Sequence, residues 1–393
     1  MRPCAIIAEY NPFHKGHAYQ VEETRKNGAT HVIALMSGNF VQRGAPALFD
    51  KYRRAHMAVL GGVDLVLELP SVYALSSAEF FARGSVDILN SLHGIKMLSF
   101  GSEAGDLDTL SRIAEIVSEE PDEYRLLLRK HLDLGQSFPG ARSKALEAML
   151  PDIPQGVLSS PNNILGVEYL KALRKTASSI EPFTIRRQGA GYHDEDLGKS
   201  LPSATGIRKL LLEGGTAEGL LPSSSGDELA SLVSSGYSMV TLESCRDLLL
   251  YRLTVDGDRL SSLPDAAGGL GERMAAHSHL IGSVGVIGFI EAVKTRRYTH
   301  TRISRILMQF LLSFDRCDLD SLRRGAPGSV KILESTPRGN EFLASIRKDT
   351  EIRLIHNFGK ETDEYQTLDS KASKVYGLLC RDYDDSWDFK GYI

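Results

Sequence analysis

Four continuous apolar runs in the first hundred residues most restrict what this chain can fold into: "CAIIAEY", "HVIALMSG", "VDLVLELP" and "IKMLSFGSE". Each reads as a strand, and each lacks the in–out alternation of a half-exposed one. Strands that stay apolar on both sides have both sheet faces covered. Helical patterns separate them: "HAYQVEETRKNG" ending at Gly28, "KYRRAHMAVLGG" with Asp50 as its cap, and "SSAEFFARGSVDILNSLHG". Strand–helix alternation of this kind implies an α/β fold, with a parallel sheet, helices on both faces and right-handed crossovers. "EPFTIRR" is expected to add a fifth strand after a helical stretch from Leu107 to about Ala177. The composition breaks at "LLPSSSGDE". Two regions are therefore expected: a sheet domain over 1–225 and a mainly helical C-terminal region over 226–393. The tail also holds strand-like pieces, "VKILES" and "EIRLIHN".

In an open parallel sheet, ligands bind at the carboxyl ends of the strands. The turn after the first strand reads "NPFHKGH". A helix starting there offers free N–H groups and partial positive charge to an anion. His14 and His17 are three apart, so they can face one side and donate to phosphate oxygens. Gly16 lets a nucleotide approach the backbone, and Pro12 fixes the turn. There is no G-x-x-x-x-G-K-[ST] run and no G-x-G-x-x-G after the first strand, which argues against a P-loop and a classical dinucleotide site. No third ligand stands at zincin spacing, so no metal site is expected. After the fifth strand, "SATGIRK" offers a second helix start with Ser203, Thr205 and Arg208.

With a net charge of only −4, any nucleic-acid partner must meet a local basic patch. "KTRRYTHTRISRILMQF" supplies one: Lys294, Arg296, Arg297, Arg302 and Arg305, with Tyr298 as a stacking face. Cys4, Cys245, Cys317 and Cys380 are too scattered for a zinc or disulfide framework and read as buried thiols of a reducing compartment. The first residues read as a strand without a basic leader, and no apolar run reaches the ~18 residues of a membrane span. The expected location is the cytoplasm.

"HKGH" after a first strand resembles the HIGH signature of the nucleotidyltransferase superfamily, whose fold is Rossmann-like, and "SATGIRK" resembles its second signature. Together with "SGNFVQRGAPALFDKYRRA", "LPSVYALSSAEFFARG", "SPNNILGVEYLKAL", "GAGYHDE" and "YTHTRISRIL", the chain over 1–345 resembles the bacterial tRNA(Met) cytidine acetate ligases. That resemblance implies ATP as co-substrate with Mg2+, acetate activated as acetyl-adenylate, and transfer to the wobble cytidine of elongator tRNA(Met), giving N4-acetylcytidine, AMP and pyrophosphate. It implies ATP contacts from Ile7, Ala8, Glu9, Tyr10, Asn11, Pro12, Phe13, His14, Lys15, Gly16, His17, Ala18, Tyr19 and Gln20, and from Gly101, Asn162 and Arg187. Catalytic work falls to His14, His17, Arg187, Ser203, Thr205 and Arg208. His193 and Asp194 stand in a Gly-rich loop that could close over the site. No stable protein partner is implied. Two other readings stay open from the residues alone: a small-molecule adenylyltransferase of the same superfamily, and an RNA-binding protein with a degenerate nucleotide site.

Overall fold

The computed structural model of the chain describes residues 1–154, 156–187, 203–359 and 362–391. The expected strands all form: β1 (Pro3–Ala8), β2 (His31–Ser37), β5 (Leu65–Leu69), β6 (Met97–Ser102) and β7 (Glu181–Arg186). Two short strands, β3 (Phe40–Val41) and β4 (Ala45–Pro46), make a small hairpin that the sequence did not announce. β8 (Ser329–Ser335) and β9 (Arg353–Ile355) come from the tail.

The main sheet runs β7-β6-β1-β2-β5-β8-β9. All of its pairs are parallel except β5 with β8. The chain moves outward from β1 to β2 to β5, then returns across β1 to β6 and β7. Right-handed crossovers in opposite directions place their helices on opposite faces. Helix α1 (Lys15–Lys26) packs on β2 and β6, and α2 (Lys51–Leu60) connects β2 to β5. On the return, α3 (Ala78–Ser91) and α4 (Leu107–Glu119) both pack against α5 (Pro161–Lys175), which lies on β6. Every residue of β2 and of β5 is buried, as their unbroken apolar runs require. The switch in direction falls between β1 and β6, so the crevice for a ligand opens at their carboxyl ends.

A single break near residue 225 does not describe this sheet. The helical stretch after residue 225 is followed by β8, which pairs antiparallel with β5 (Leu65 opposite Ser335). The sheet domain is thus built from two separated lengths of chain, because β5 needs a partner on its outer edge. A buried ion cluster fixes the second length. The Lys51 ammonium lies 2.8 Å from Glu68 and 2.7 Å from Asp388, and Lys331 reaches Asp388 at 2.6 Å. Tyr52 Oη also donates to Asp388, at 2.8 Å. Burial alone would raise the Asp388 carboxyl, but Lys51 and Lys331 outweigh it and hold it well below the usual carboxylate range. Cys4, Cys245 and Cys380 are buried thiols as expected, whereas Cys317 is partly exposed. Among the described residues no helix is long and apolar enough to cross a membrane.

Candidate active site

The turn after β1 is a helix cap made of imidazoles. His14 is the N-cap of α1, and its Nδ1 accepts the Gly16 N–H at 3.0 Å. His17 reaches back, and its Nδ1 accepts the His14 N–H at 3.3 Å. This is a capping box with histidine in both roles. The rings stack at 3.8 Å between centroids. A Cβ on Gly16 would lie 2.8 Å from His14 Cε1, so the glycine first makes room for the His14 ring. Tyr10, at φ +46°, supports His17 edge-on at 4.9 Å, with Phe13 behind it. The Tyr10 and Phe13 side chains are core residues; what they offer a ligand at this turn is backbone.

The cap also settles the tautomers. A nitrogen that accepts an N–H bond carries no proton, so each neutral ring holds its proton on Nε2. Both rings stay neutral at pH 7. Burial, then the charges of Arg187 and Arg208, hold His14 down to about 3. Burial, then His14 and Arg187, hold His17 well below its ordinary value. The site therefore presents two neutral Nε2–H donors, and its positive charge comes from arginines. A histidine depressed in the folded state gives stability that is full above the free imidazole value of 6.5 and lost as pH falls toward about 3. The expected result is an imidazole 15N spectrum of the free protein with both rings in the Nε2–H form and no titration between pH 8 and 5. A protonated ring at pH 6.5 would overturn this.

The second motif meets the first. Ser203 caps α6 (Ala204–Leu212), accepting the Gly206 N–H at 3.1 Å. Arg208 donates to the Asn11 carbonyl at 2.8 Å and to Thr205 Oγ1 at 3.2 Å. A motif near residue 205 is thereby fastened to the turn at residue 11. Lys15 N–H adds a bond to the Leu220 carbonyl at 3.1 Å.

Gly101 and Arg187 stand together at the ends of β6 and β7. A Cβ on Gly101 would come 3.3 Å from Arg187 Cγ, so this glycine clears a path for the arginine stem. Asn162 lies in the first turn of α5, where its Nδ2 donates to Glu103 Oε1 at 2.6 Å. It does not cap the helix; Ser160 holds that position. The Gln20 amide is used on Ser99, tying α1 to β6. His193 and Asp194 lie outside the described residues.

Two arginines escaped the sequence reading. Arg54 is fully buried and donates to the carbonyls of Glu9, Ser37, Gly38 and Phe49. It satisfies carbonyls at the ends of β1 and β2 that would otherwise be buried without a partner. Arg43, at the hairpin tip, donates to Thr205 Oγ1 at 3.1 Å. Both occur in "SGNFVQRGAPALFDKYRRA", but nothing local marks an arginine as buried.

The basic run divides in two. Lys294, Arg296 and Arg297 are exposed, with Lys294 3.3 Å from Glu291. Arg297 and Arg302 both lie 5.8 Å from the Tyr298 ring. Arg302 and Arg305 belong to α8 (His300–Leu311; α7 is Leu280–Val293) and turn inward. Arg302 Nε donates to the Asp265 carbonyl at 2.8 Å. Arg305 is so desolvated that its guanidinium is lowered to about 10. The expected five-charge surface is therefore mainly Lys294, Arg296 and Arg297.

A parallel sheet whose first turn carries two Nε2–H histidines, joined by an arginine to a second helix start, is the arrangement with which the following likenesses to known proteins agree. The family model for HIGH Nucleotidyl Transferase matches residues 1–388. A tRNA(Met) cytidine acetate ligase of Clostridium botulinum (strain Okra / Type B1) is 40% identical over 389 residues, covering 96% of this chain and 95% of that protein. The crystal structure of apo Thermotoga maritima TmcAL superposes with a TM-score of 0.88 at 34% identity, covering 96% of this chain and 95% of that one. The same protein bound with alpha-thio ATP gives 0.87 at 32% identity, with the same coverage. The chain belongs to the HIGH nucleotidyltransferase family and, within it, to the tRNA(Met) cytidine acetate ligases.

Proposed function

We propose that the chain activates acetate with ATP and transfers the acetyl group to the exocyclic amine of the wobble cytidine of elongator tRNA(Met). One observation in the site supports this reading: the Arg208–Asn11 bond joins the helix starts of the two motifs, α1 and α6, beyond the end of β1. In the first step an acetate oxygen bonds to the α-phosphorus, and the bond to the β-phosphate oxygen breaks. The electron pair stays on pyrophosphate, and no proton moves. Catalysis is then positioning and charge stabilisation, which neutral imidazole donors and arginines can supply. In the second step the cytidine N4 bonds to the acetyl carbon, the acetyl C–O bond to the α-phosphate breaks with its electron pair staying on AMP, and the amine's proton passes to the departing phosphate or to water.

His14, His17, Arg187, Ser203, Thr205 and Arg208 are the proposed phosphate ligands. The backbone from Ile7 to Gln20, with Gly101 and Asn162, is the proposed cradle for the rest of ATP. A Mg2+ ion would be held by phosphate oxygens and water; among the described residues no group of three or more His, Cys, Asp or Glu converges to cage a metal. A cytoplasmic enzyme without a stable protein partner fits this chemistry.

The decisive experiment supplies ATP and labelled acetate with and without bulk tRNA. Acetylated cytidine in the hydrolysed tRNA, with AMP released, is the expected result. AMP joined to a small phosphorylated metabolite would mean an adenylyltransferase, and tRNA binding without acetylation an RNA-binding protein.

Lys294, Arg296 and Arg297 are proposed to meet tRNA phosphates. Replacing all three with Ala should flatten the salt dependence of tRNA binding by about 0.7 to 0.9 in log–log slope per lost contact, while adenylate forms at the normal rate without tRNA. An unchanged slope across a salt series would place these side chains away from the RNA.

A further inference from the structure

The β3–β4 hairpin belongs to neither signature motif, yet its tip touches the end of β1, just before the first, and Thr205 of the second. Gln42 N–H donates to Glu9 Oε1 at 2.9 Å, just past β1. Arg43 reaches Thr205 on α6. Gly44, at φ +80°, sits so close to α8 that a Cβ would come 2.3 Å from the Arg305 backbone nitrogen. The backbone on either side of Arg43 is thus held by two different parts of the molecule, which fixes where the guanidinium can lie.

Thr205 Oγ1 accepts from Arg43 and from Arg208, at 3.1 and 3.2 Å. A hydroxyl has two acceptor lone pairs and one proton. Both lone pairs are taken by guanidinium donors, so the proton points away from both arginines. Among the described residues Thr205 Oγ1 donates to none. A hydroxyl proton flanked by two guanidinium groups suits a polyanion. Charge points the same way. Both histidines are neutral, so among the proposed phosphate ligands of the two motifs only Arg187 and Arg208 carry positive charge, and a further guanidinium beside them would share the charge of a leaving pyrophosphate with any bound Mg2+.

We infer that Arg43 is a third guanidinium of the phosphate site and, with the Thr205 hydroxyl it orients, binds the pyrophosphate that leaves ATP. This rests on the proposed adenylation. It adds a residue from outside both motifs, carried on a segment that also abuts α8, the helix in the second half of the basic run.

The test is acetate-dependent ATP–pyrophosphate exchange in the full chain, with Arg43→Ala, Arg43→Lys and Thr205→Val. Arg43→Ala should raise the KM for pyrophosphate by about 10- to 100-fold, the range of a lost charge-assisted hydrogen bond. The KM for acetate and the affinity for tRNA should stay within about twofold of wild type. Arg43→Lys should recover part of the loss because it keeps the charge. Thr205→Val, which keeps the shape and removes the hydroxyl, should also raise the pyrophosphate KM. An unchanged pyrophosphate KM in Arg43→Ala would overturn the inference. So would an equal loss for acetate and pyrophosphate that Lys does not rescue, since that would make Arg43 a brace of the hairpin. Wild-type protein with no acetate-dependent exchange would instead overturn the ligase reading itself.

Discussion

His17→Ala slows acetate-dependent ATP–pyrophosphate exchange by about a hundredfold or more, with the fold retained. His17 offers a neutral Nε2–H because its Nδ1 accepts the His14 N–H. Such a donor strengthens its bond as charge builds on the phosphates, and removing one costs on the order of 3 kcal/mol in the barrier. The cap bond is lost as well, but that costs only about 1 kcal/mol of stability. The fall should therefore appear in the rate while the urea midpoint moves little. Exchange at the wild-type rate in the variant would remove His17 from the phosphate site. A fall matched by unfolding would make it a helix cap and nothing more.

Asp388→Ala should destabilise the whole protein by about 3–5 kcal/mol, the usual cost of breaking a buried ion pair. The carboxylate faces Lys51 at 2.7 Å and Lys331 at 2.6 Å. Lys51 keeps Glu68, but Lys331 has no other ion-pair partner among the described residues. Because Asp388 is depressed in the fold, its stabilisation is full above the ordinary carboxylate value of 3.8 and is lost as pH falls through the folded value. Urea unfolding at pH 7 and pH 3 measures both effects. The variant should show a large loss at pH 7 and less acid sensitivity than wild type. A change below about 1 kcal/mol at pH 7 would show that the cluster is not holding the tail.

The legible parts of the fold were those whose signal is local. The parallel strands are visible because burial on both faces leaves unbroken apolar runs, and the helices because their caps and stops sit within the same few residues. Asp50 caps as read, and of the two residues that could start the later helix, Ser203 and Thr205, Ser203 is the cap. β3 and β4 have two residues each, too few for any period. The pairing of β8 with β5 joins positions as distant as Leu65 and Ser335, and no pattern in either strand names the other. The same holds at the site. "HKGH" is legible because strand, turn and helix are contiguous. Its connection to "SATGIRK" came from resemblance, and the structure gives its cause in the Arg208–Asn11 bond. Arg54 and Arg43 read as ordinary helix and loop charges because what they bind lies elsewhere in the chain. Arg305 is similar: three residues from Arg302 on a basic helix it reads as a surface charge, while its guanidinium is desolvated near Asp265, Arg323 and Arg302, of which all but Arg302 lie far off in sequence.

The antiparallel strand from the tail has a consequence for how the enzyme comes into being. A ribosome delivers β1, β2 and β5 early, and the helical middle follows. Until β8 emerges, β5 has a bare edge and Lys51 has only one of its two acids. The same α2 that carries Lys51 carries Arg54, which pins the strand ends beneath the histidine turn. ATP-binding geometry is therefore completed late in synthesis. A nascent or truncated chain lacking β8 and Asp388 would be a poor nucleotide binder with a sticky edge. The nucleotide site is in this way expected to form only in chains that have been translated through β8 and Asp388.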